Sequence, residues 1–343
     1  MRIRVLLGGI VTLGLCLGST YAWAQEVTLR LHQFLPPQAT IPAKAITPWI
    51  AKVEAESGGR IKIEHYPAMQ LGGKPPALYD QARDGVVDIV WTLLGYTPGR
   101  FHKTEAFELP FMVTTGEATS KAFYEYVQAN ALDEFQDVKP LVLHTHGAGL
   151  LHVREPGVTS LEDMKGLKLR GPTRITTAML ENLGATAIGM PVPAVPESLS
   201  KGVIDGAVIP WEVTLPLKVA ELVKTHTGFQ GKHGLYTATF ILVMNKARYD
   251  SLPADLKAVI DANAGIEAAA LFGRAMDNGD AVGLKKAQDS GNTIRMLDAK
   301  ETARWEEAAQ PTIDAWIAEM SGQGIDGKAL IDKARALIAK YSE

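Results

Sequence analysis

Residues Leu161 to Arg174 read LEDMKGLKLRGPTR. A short apolar run, Leu167-Lys168-Leu169, ends in Arg170, and Gly171-Pro172 follow at once. The run predicts a strand. Pro172 stops it, and Thr173 has the side chain to cap a helix that starts near Arg174. A helix N-terminus presents unpaired N–H groups and the positive end of its dipole. Arg170 adds a planar fork of donors that fits a carboxylate through two parallel hydrogen bonds. The stretch reads as strand, turn and helix built around an anion site. An internal salt bridge from Arg170 to Glu162, Asp163 or Glu181 stays open on spacing alone.

Outward from this stretch the chain alternates strand and helix signals, the pattern of an α/β fold with mostly parallel sheets. VTLRLHQF from Val27 and RIKIEHYP from Arg60 alternate apolar and polar residues. VVDIVWTLL from Val86 is a buried strand, and PLVLHTHG from Pro140 and LLHV from Leu150 are two more. Helical spacing runs through AKAITPWIAKVEAES, PPALYDQARDG and GEATSKAFYEYVQANALDEF between them. Beyond Arg170 come the helix ITTAMLENLG, the helix PESLSKG, the strand VIDGAVIP and the long apolar strand YTATFILVMNK. From about Pro253 the sequence is Ala-rich and reads as helical to its end, which predicts helices bracing both halves.

The halves echo each other. ARDGVVDIVW and LSKGVIDGAVIPW both run from a helix end through Gly, an apolar residue, Asp, an apolar strand and Trp. The pairs are Gly85 and Gly202, Asp88 and Asp205, Trp91 and Trp211. Lobes of like construction put both tryptophans at the carboxyl ends of equivalent strands, the edge where open α/β sheets bind ligands. Burial of both in the core is the alternative.

The chain has 343 residues and a formal charge of −3. Its first residues form a basic MRIR, an apolar, Gly-rich run and the small-x-small site Ala22-Trp23-Ala24. This predicts a secretory signal peptide over residues 1–24 and a periplasmic mature protein, the run being too short for a good membrane span. Cleavage removes Arg2 and Arg4, taking the charge from −3 to −5, and removes Cys16, the single cysteine. A mature chain without thiol is neither a disulfide scaffold nor a thiol enzyme. The acidic balance, with no Lys/Arg cluster, argues against nucleic acid.

Motifs of nucleotide-binding loops, nucleophile elbows and zinc proteases are missing, so an exported hydrolase or lyase lacks motif support. His144 and His146 lie two apart on a strand, but no acid or cysteine cluster accompanies them. They read as partly buried, hydrogen-bonded histidines rather than metal ligands, and no cofactor is expected.

SLEDMKGLKLRGPT followed by LGATAIGMPVPAVPESLSKGVIDGAVIP resembles the solute-binding subunits of tripartite ATP-independent periplasmic (TRAP) transporters. MQLGGKPPALYDQARDGVVDIVW, TPGRFHKTEAFELPFM and LYTATFILVMNK fit the same family, so the resemblance covers nearly the whole mature chain. It implies a two-lobed, type II-like periplasmic binding fold with a hinge and a long bracing helix. One lobe would be residues 25–148 with about 238–280, the other 149–237 with about 281–343. It also implies an organic acid between the lobes, integral membrane subunits as partners, and Arg170 in a salt bridge to the ligand carboxylate.

Two positions depart from the family pattern. Some relatives carry a second ligand arginine near Gly149, and many carry Asn where this chain has Ile209. With Phe34, Trp91, Leu93, Tyr96, Trp211 and Glu212 nearby and Thr173 presenting the helix start, one carboxylate clamp faces an apolar, aromatic wall. That combination predicts a monocarboxylate with an aromatic or apolar body. A C4-dicarboxylate or sugar acid would need a second cation from Arg174 or Lys232. As a helix-start residue, Arg174 is expected to be solvated.

Overall fold

The computed structural model describes residues 26–343. The predicted signal segment, with Cys16, Arg2 and Arg4, lies outside the described residues. Eleven strands follow in chain order: β1 (Val27–Gln33), β2 (Ile61–Tyr66), β3 (Ile89–Leu93), β4 (Val138–Thr145), β5 (Leu150–Val153), β6 (Lys168–Gly171), β7 (Thr186–Gly189), β8 (Gly206–Ile209), β9 (Thr225–Phe229), β10 (Thr239–Asn245) and β11 (Thr293–Leu297). They form two sheets, ordered β2-β1-β3-β10-β4 and β11-β9-β5-β8-β6-β7.

Among the described residues five of the nine strand pairings are parallel, as an α/β chain predicts, and the other four make both sheets mixed. β10 runs antiparallel to β3 and β4, and β5 antiparallel to β8 and β9. The reason lies in the route of the chain. Thr145 pairs with Thr239, Gly149 with Tyr236 and Leu151 with Thr227, so a single antiparallel ribbon continues from the first sheet into the second.

The helices follow the strands. α1 (Thr47–Glu56), α2 (Leu78–Arg83) and α3 (Gly116–Asn130) serve the first sheet, and α4 (Arg174–Asn182), α5 (Val195–Ser200), α6 (Trp211–Thr214) and α7 (Val219–Leu222) the second. After α8 (Lys246–Asp250) and α9 (Ala254–Ala262), the long α10 (Gly265–Asp289) packs on α3 and β4 of one half and α6 of the other. Two glycines permit that approach: Gly273 faces the backbone of Gly116, and Gly283 the backbone of Trp211. α11 (Ala299–Gly322) packs on α4, while α12 (Gly327–Tyr341) returns to α3 of the first half. The stretch beyond Pro253 is therefore not helical throughout: β11 interrupts it and pairs with β9.

The internal echo is structural for Gly and Asp. Gly85 and Gly202 end α2 and α5 with φ of 73° and 70°, a conformation glycine adopts without strain. Asp88 accepts the Arg30 N–H at 2.7 Å, and Asp205 accepts the Lys168 N–H at 2.8 Å. Each aspartate ties the strand it precedes to the parallel neighbour. The tryptophans are not equivalent. Trp91 lies within β3, whereas Trp211 falls beyond Pro210, at the start of α6.

Candidate functional site

β6 delivers Arg170 into the interior, 1 % exposed. Its Nε donates to the Met190 carbonyl at 2.9 Å and Nη1 to the Val208 carbonyl at 3.2 Å. Nη2 has no partner. Burial lowers its affinity for the proton, and the neighbouring Tyr96 and Tyr236 hydroxyls oppose that. None of the three acids considered from spacing reaches it. Glu162 pairs with Arg304, Asp163 caps its own turn, and Glu181 is exposed. A buried guanidinium without a counter-ion carries a penalty of several kcal/mol, ~3–5 when a pair is broken by removing one partner.

Arg170 opens on an apolar cavity with about 30 Å³ of free space. Both sheets supply its wall. Phe34, Trp91, Leu93, Tyr96 and Phe240 come from the first, and Arg170, Ile209, Glu212 and Tyr236 from the second or the ribbon joining them. Phe34 and Phe240 each stack on the Trp91 ring, with centroids at 4.9 and 5.2 Å. The stack follows from register: β1, β3 and β10 are adjacent, with Phe34 one residue beyond β1, Trp91 in β3 opposite Gln33, and Phe240 in β10 opposite Leu93.

Most polar groups of this wall are already engaged. Trp91 Nε1 donates to His144 Nε2 at 2.8 Å, leaving only its ring faces. His146 Nε2 accepts the Ala238 N–H at 3.0 Å, and its Nδ1 bonds the Gly147 carbonyl at 2.6 Å. Burial depresses His144 to about 3 and His146 to about 4, so both are neutral at pH 7. They are fully rather than partly buried. Tyr236 donates its hydroxyl to Val208 at 2.9 Å. The Tyr96 hydroxyl accepts the Val192 N–H at 2.9 Å, so its own proton remains available beside Arg170. Among the described residues Glu212 Oε2 is buried without a hydrogen-bond partner of normal geometry, while the Thr40 hydroxyl interacts with the carboxyl. Burial, with Asp280 nearby, raises its carboxyl to about 8.

Three expected site residues stand elsewhere. Trp211 packs against His152 and His226 instead of lining the cavity, with centroids at 4.9 and 4.8 Å. Thr173 caps α4 by accepting the Thr176 N–H, and its methyl sits against Gly95; Pro172 takes the wall position. Gly149 is off the wall, but a Cβ there would penetrate the Tyr236 ring. The missing second arginine thus leaves room for a tyrosine. Tyr236, Phe240 and His146 went unread as site residues because they arrive through the antiparallel ribbon, a pairing that local pattern does not reveal.

Arg174 is not freely solvated: its side chain is 32 % exposed and its charge is paired. Its guanidinium bridges Glu105 and Glu319, the latter at 2.7 and 2.9 Å. Lys232 lines a separate groove with Phe111 and Arg335. Neither cation lines the cavity.

Residues 32–319 match the family of bacterial extracellular solute-binding proteins, family 7. A TRAP solute-binding protein of Rhodoferax ferrireducens, crystallised with copurified benzoate, is 51% identical, with a TM-score of 0.90 over 92% of this chain and 98% of that one. A marine metagenome TRAP solute-binding protein specific for aromatic acid ligands, in complex with 3-hydroxybenzoate, is 50% identical, with a TM-score of 0.91 over 93% and 100%. A Bordetella bronchiseptica relative with bound (R)- and (S)-mandelate is 28% identical, with a TM-score of 0.85 over 91% and 99%. With that match, two sheets joined by a ribbon and a long helix packed across both, the chain belongs to family 7 of the bacterial extracellular solute-binding proteins, as a TRAP transporter solute-binding protein and not an enzyme.

Proposed function

We propose that this protein is the periplasmic receptor for an aromatic monocarboxylate, which it hands to the membrane subunits of a TRAP transporter. The observation that carries this reading is Arg170 Nη2, buried without a hydrogen-bond partner of normal geometry among the described residues, on the wall of a cavity that the stacked Phe34, Trp91 and Phe240 rings also line. A ligand carboxylate would take Nη2 and the Tyr96 hydroxyl proton, while its ring would lie against Phe34, Trp91 and Phe240. Aromatic contacts of this kind add ~0.5–1.5 kcal/mol per well-placed pair. The benzoate and 3-hydroxybenzoate held by relatives near half identity support the same class. A C4-dicarboxylate finds no second cation on this wall, since Arg174 is held by two glutamates.

Free space of about 30 Å³ suits roughly a water or two, so the walls must part to admit a ring. The two sheets with their helices act as lobes that separate and close over the ligand. A ligand touching both lobes binds the closed form better and shifts the population towards it. The closed form then docks on the membrane subunits.

The test is a thermal-shift and calorimetric panel of benzoate, mandelate, succinate and a branched 2-oxo acid. Benzoate or mandelate should raise the melting temperature, and an acid at a hundredfold excess over Kd stabilises by ~2.7 kcal/mol. Arg170→Met should lose ~2–5 kcal/mol of binding without lowering the melting temperature of the free protein. Succinate as the sole stabilising acid would overturn the ligand class.

A further inference from the structure

The carboxylate clamp leaves one polar feature of the cavity unexplained. Glu212 sits on the wall, 4 % exposed; the Thr40 hydroxyl interacts with its carboxyl, but Oε2 is sealed from solvent and has no hydrogen-bond partner of normal geometry among the described residues. Its backbone N–H is fixed by Asp280 Oδ1 at 2.7 Å, and its carbonyl accepts from Thr40 Oγ1 at 3.4 Å. The side chain packs over Gly279 of α10, where a Cβ would crowd it. On its far side lies an outer groove lined by Gln38, Thr40 and Lys44. Glu212 therefore forms the partition between cavity and surface, held by contacts from both halves of the fold.

An apolar side chain would seal this partition more cheaply. A buried acid with an unmatched oxygen is instead a site awaiting a polar partner. That partner is not Arg170. No ion pair or hydrogen bond joins the two among the described residues. With its proton retained at neutral pH, the carboxyl both donates and accepts, which matches a phenolic hydroxyl: O–H to Oε2 in one direction, carboxyl O–H to the phenol oxygen in the other. A second carboxylate on the ligand is a poorer match, because its charge would be buried without a cation.

We propose that Glu212 is a specificity-determining residue that reads a hydroxyl on the ring of the ligand, making hydroxylated aromatic acids the preferred substrate class. This rests on the aromatic-acid reading above. A site built to bond a hydroxyl discriminates against analogues that lack it, because binding them leaves the polar group unpaired.

The experiment is calorimetric titration of the mature chain with benzoate, 3-hydroxybenzoate, 4-hydroxybenzoate and the corresponding methylbenzoates. At least one hydroxybenzoate should bind ~10-fold or more tightly than benzoate and its methyl isostere. Glu212→Leu should reduce that ratio below ~3-fold, while Glu212→Gln, which keeps a donor and an acceptor, should retain most of it. Equal binding of hydroxy and methyl isomers by the unmodified protein overturns the proposal without needing any variant. So does an undiminished ratio in Glu212→Leu. In both cases benzoate still binds and the aromatic-acid reading stands; if no aromatic acid binds, both readings fall together.

Discussion

Arg170 lies on its cavity wall with no ion pair to a carboxylate among the described residues. Tyr96 and Tyr236 flank it, and two carbonyls fix its Nε and Nη1, so Nη2 is held in a defined direction. Rigidity of this kind lowers the ordering penalty when a carboxylate arrives. Tyr236 carries part of that rigidity, and Gly149 makes Tyr236 possible. Gly149→Ala should push the ring off the Val208 carbonyl, because its Cβ would overlap ring carbons. The expected loss is ~1–3 kcal/mol of stability, read as a lower denaturant midpoint, together with weaker carboxylate binding. An unchanged midpoint and affinity would show that the ring yields without consequence.

Strand ends set these side chains, and the paired aspartates set the strand ends. Asp205 receives the Lys168 N–H, two residues before Arg170, and Asp88 does the same for Arg30 beside β3. Asp205→Ala should cost ~1.5–3 kcal/mol, the worth of a hydrogen bond to a charged group, and should speed exchange of the Lys168 amide. Exchange at the native rate would mean that the β6–β8 ladder alone holds the strand. This element scale is also where the sequence was most legible. The Thr173 helix cap, apolar runs such as β3 and β10, and the Gly-x-x-Asp echo are local signals. β7, β9 and β11 were missed because TAIG, THTGF and TIRML owe their strand state to distant partners. Trp211 was misplaced for a related reason. Asp88 precedes Trp91 by three residues but Asp205 precedes Trp211 by six, enough to carry the second ring past the strand and into α6. Arg170 was legible because strand, proline and cap all lie within one stretch.

At the scale of the whole molecule, the cavity is closed by contacts that never touch it. Arg174 begins α4 of the second half, yet it holds Glu105 from the first half and Glu319 from α11, with His102 Nδ1 a further 3.2 Å from Glu319. Glu105 has a side chain only 8 % exposed, and burial raises its carboxyl while Arg174 opposes the rise. A charge so placed favours whichever arrangement keeps Arg174 beside it. If opening of the lobes separates the two, the pair stabilises the closed form alone, and the closed form is the one that holds ligand. Arg174→Met should then weaken ligand binding through a faster off-rate. Arg174 is about a third exposed, so solvent screening discounts the pair to ~1–3 kcal/mol, or about 5- to 150-fold in Kd. Glu105→Gln in the same background should restore part of the loss by removing the stranded carboxylate, which a direct ligand contact from Arg174 would not allow. Stopped-flow dissociation of a bound aromatic acid, measured for both variants, decides the matter: an unaltered off-rate in Arg174→Met would mean that the network braces the second half and leaves the open–closed balance untouched.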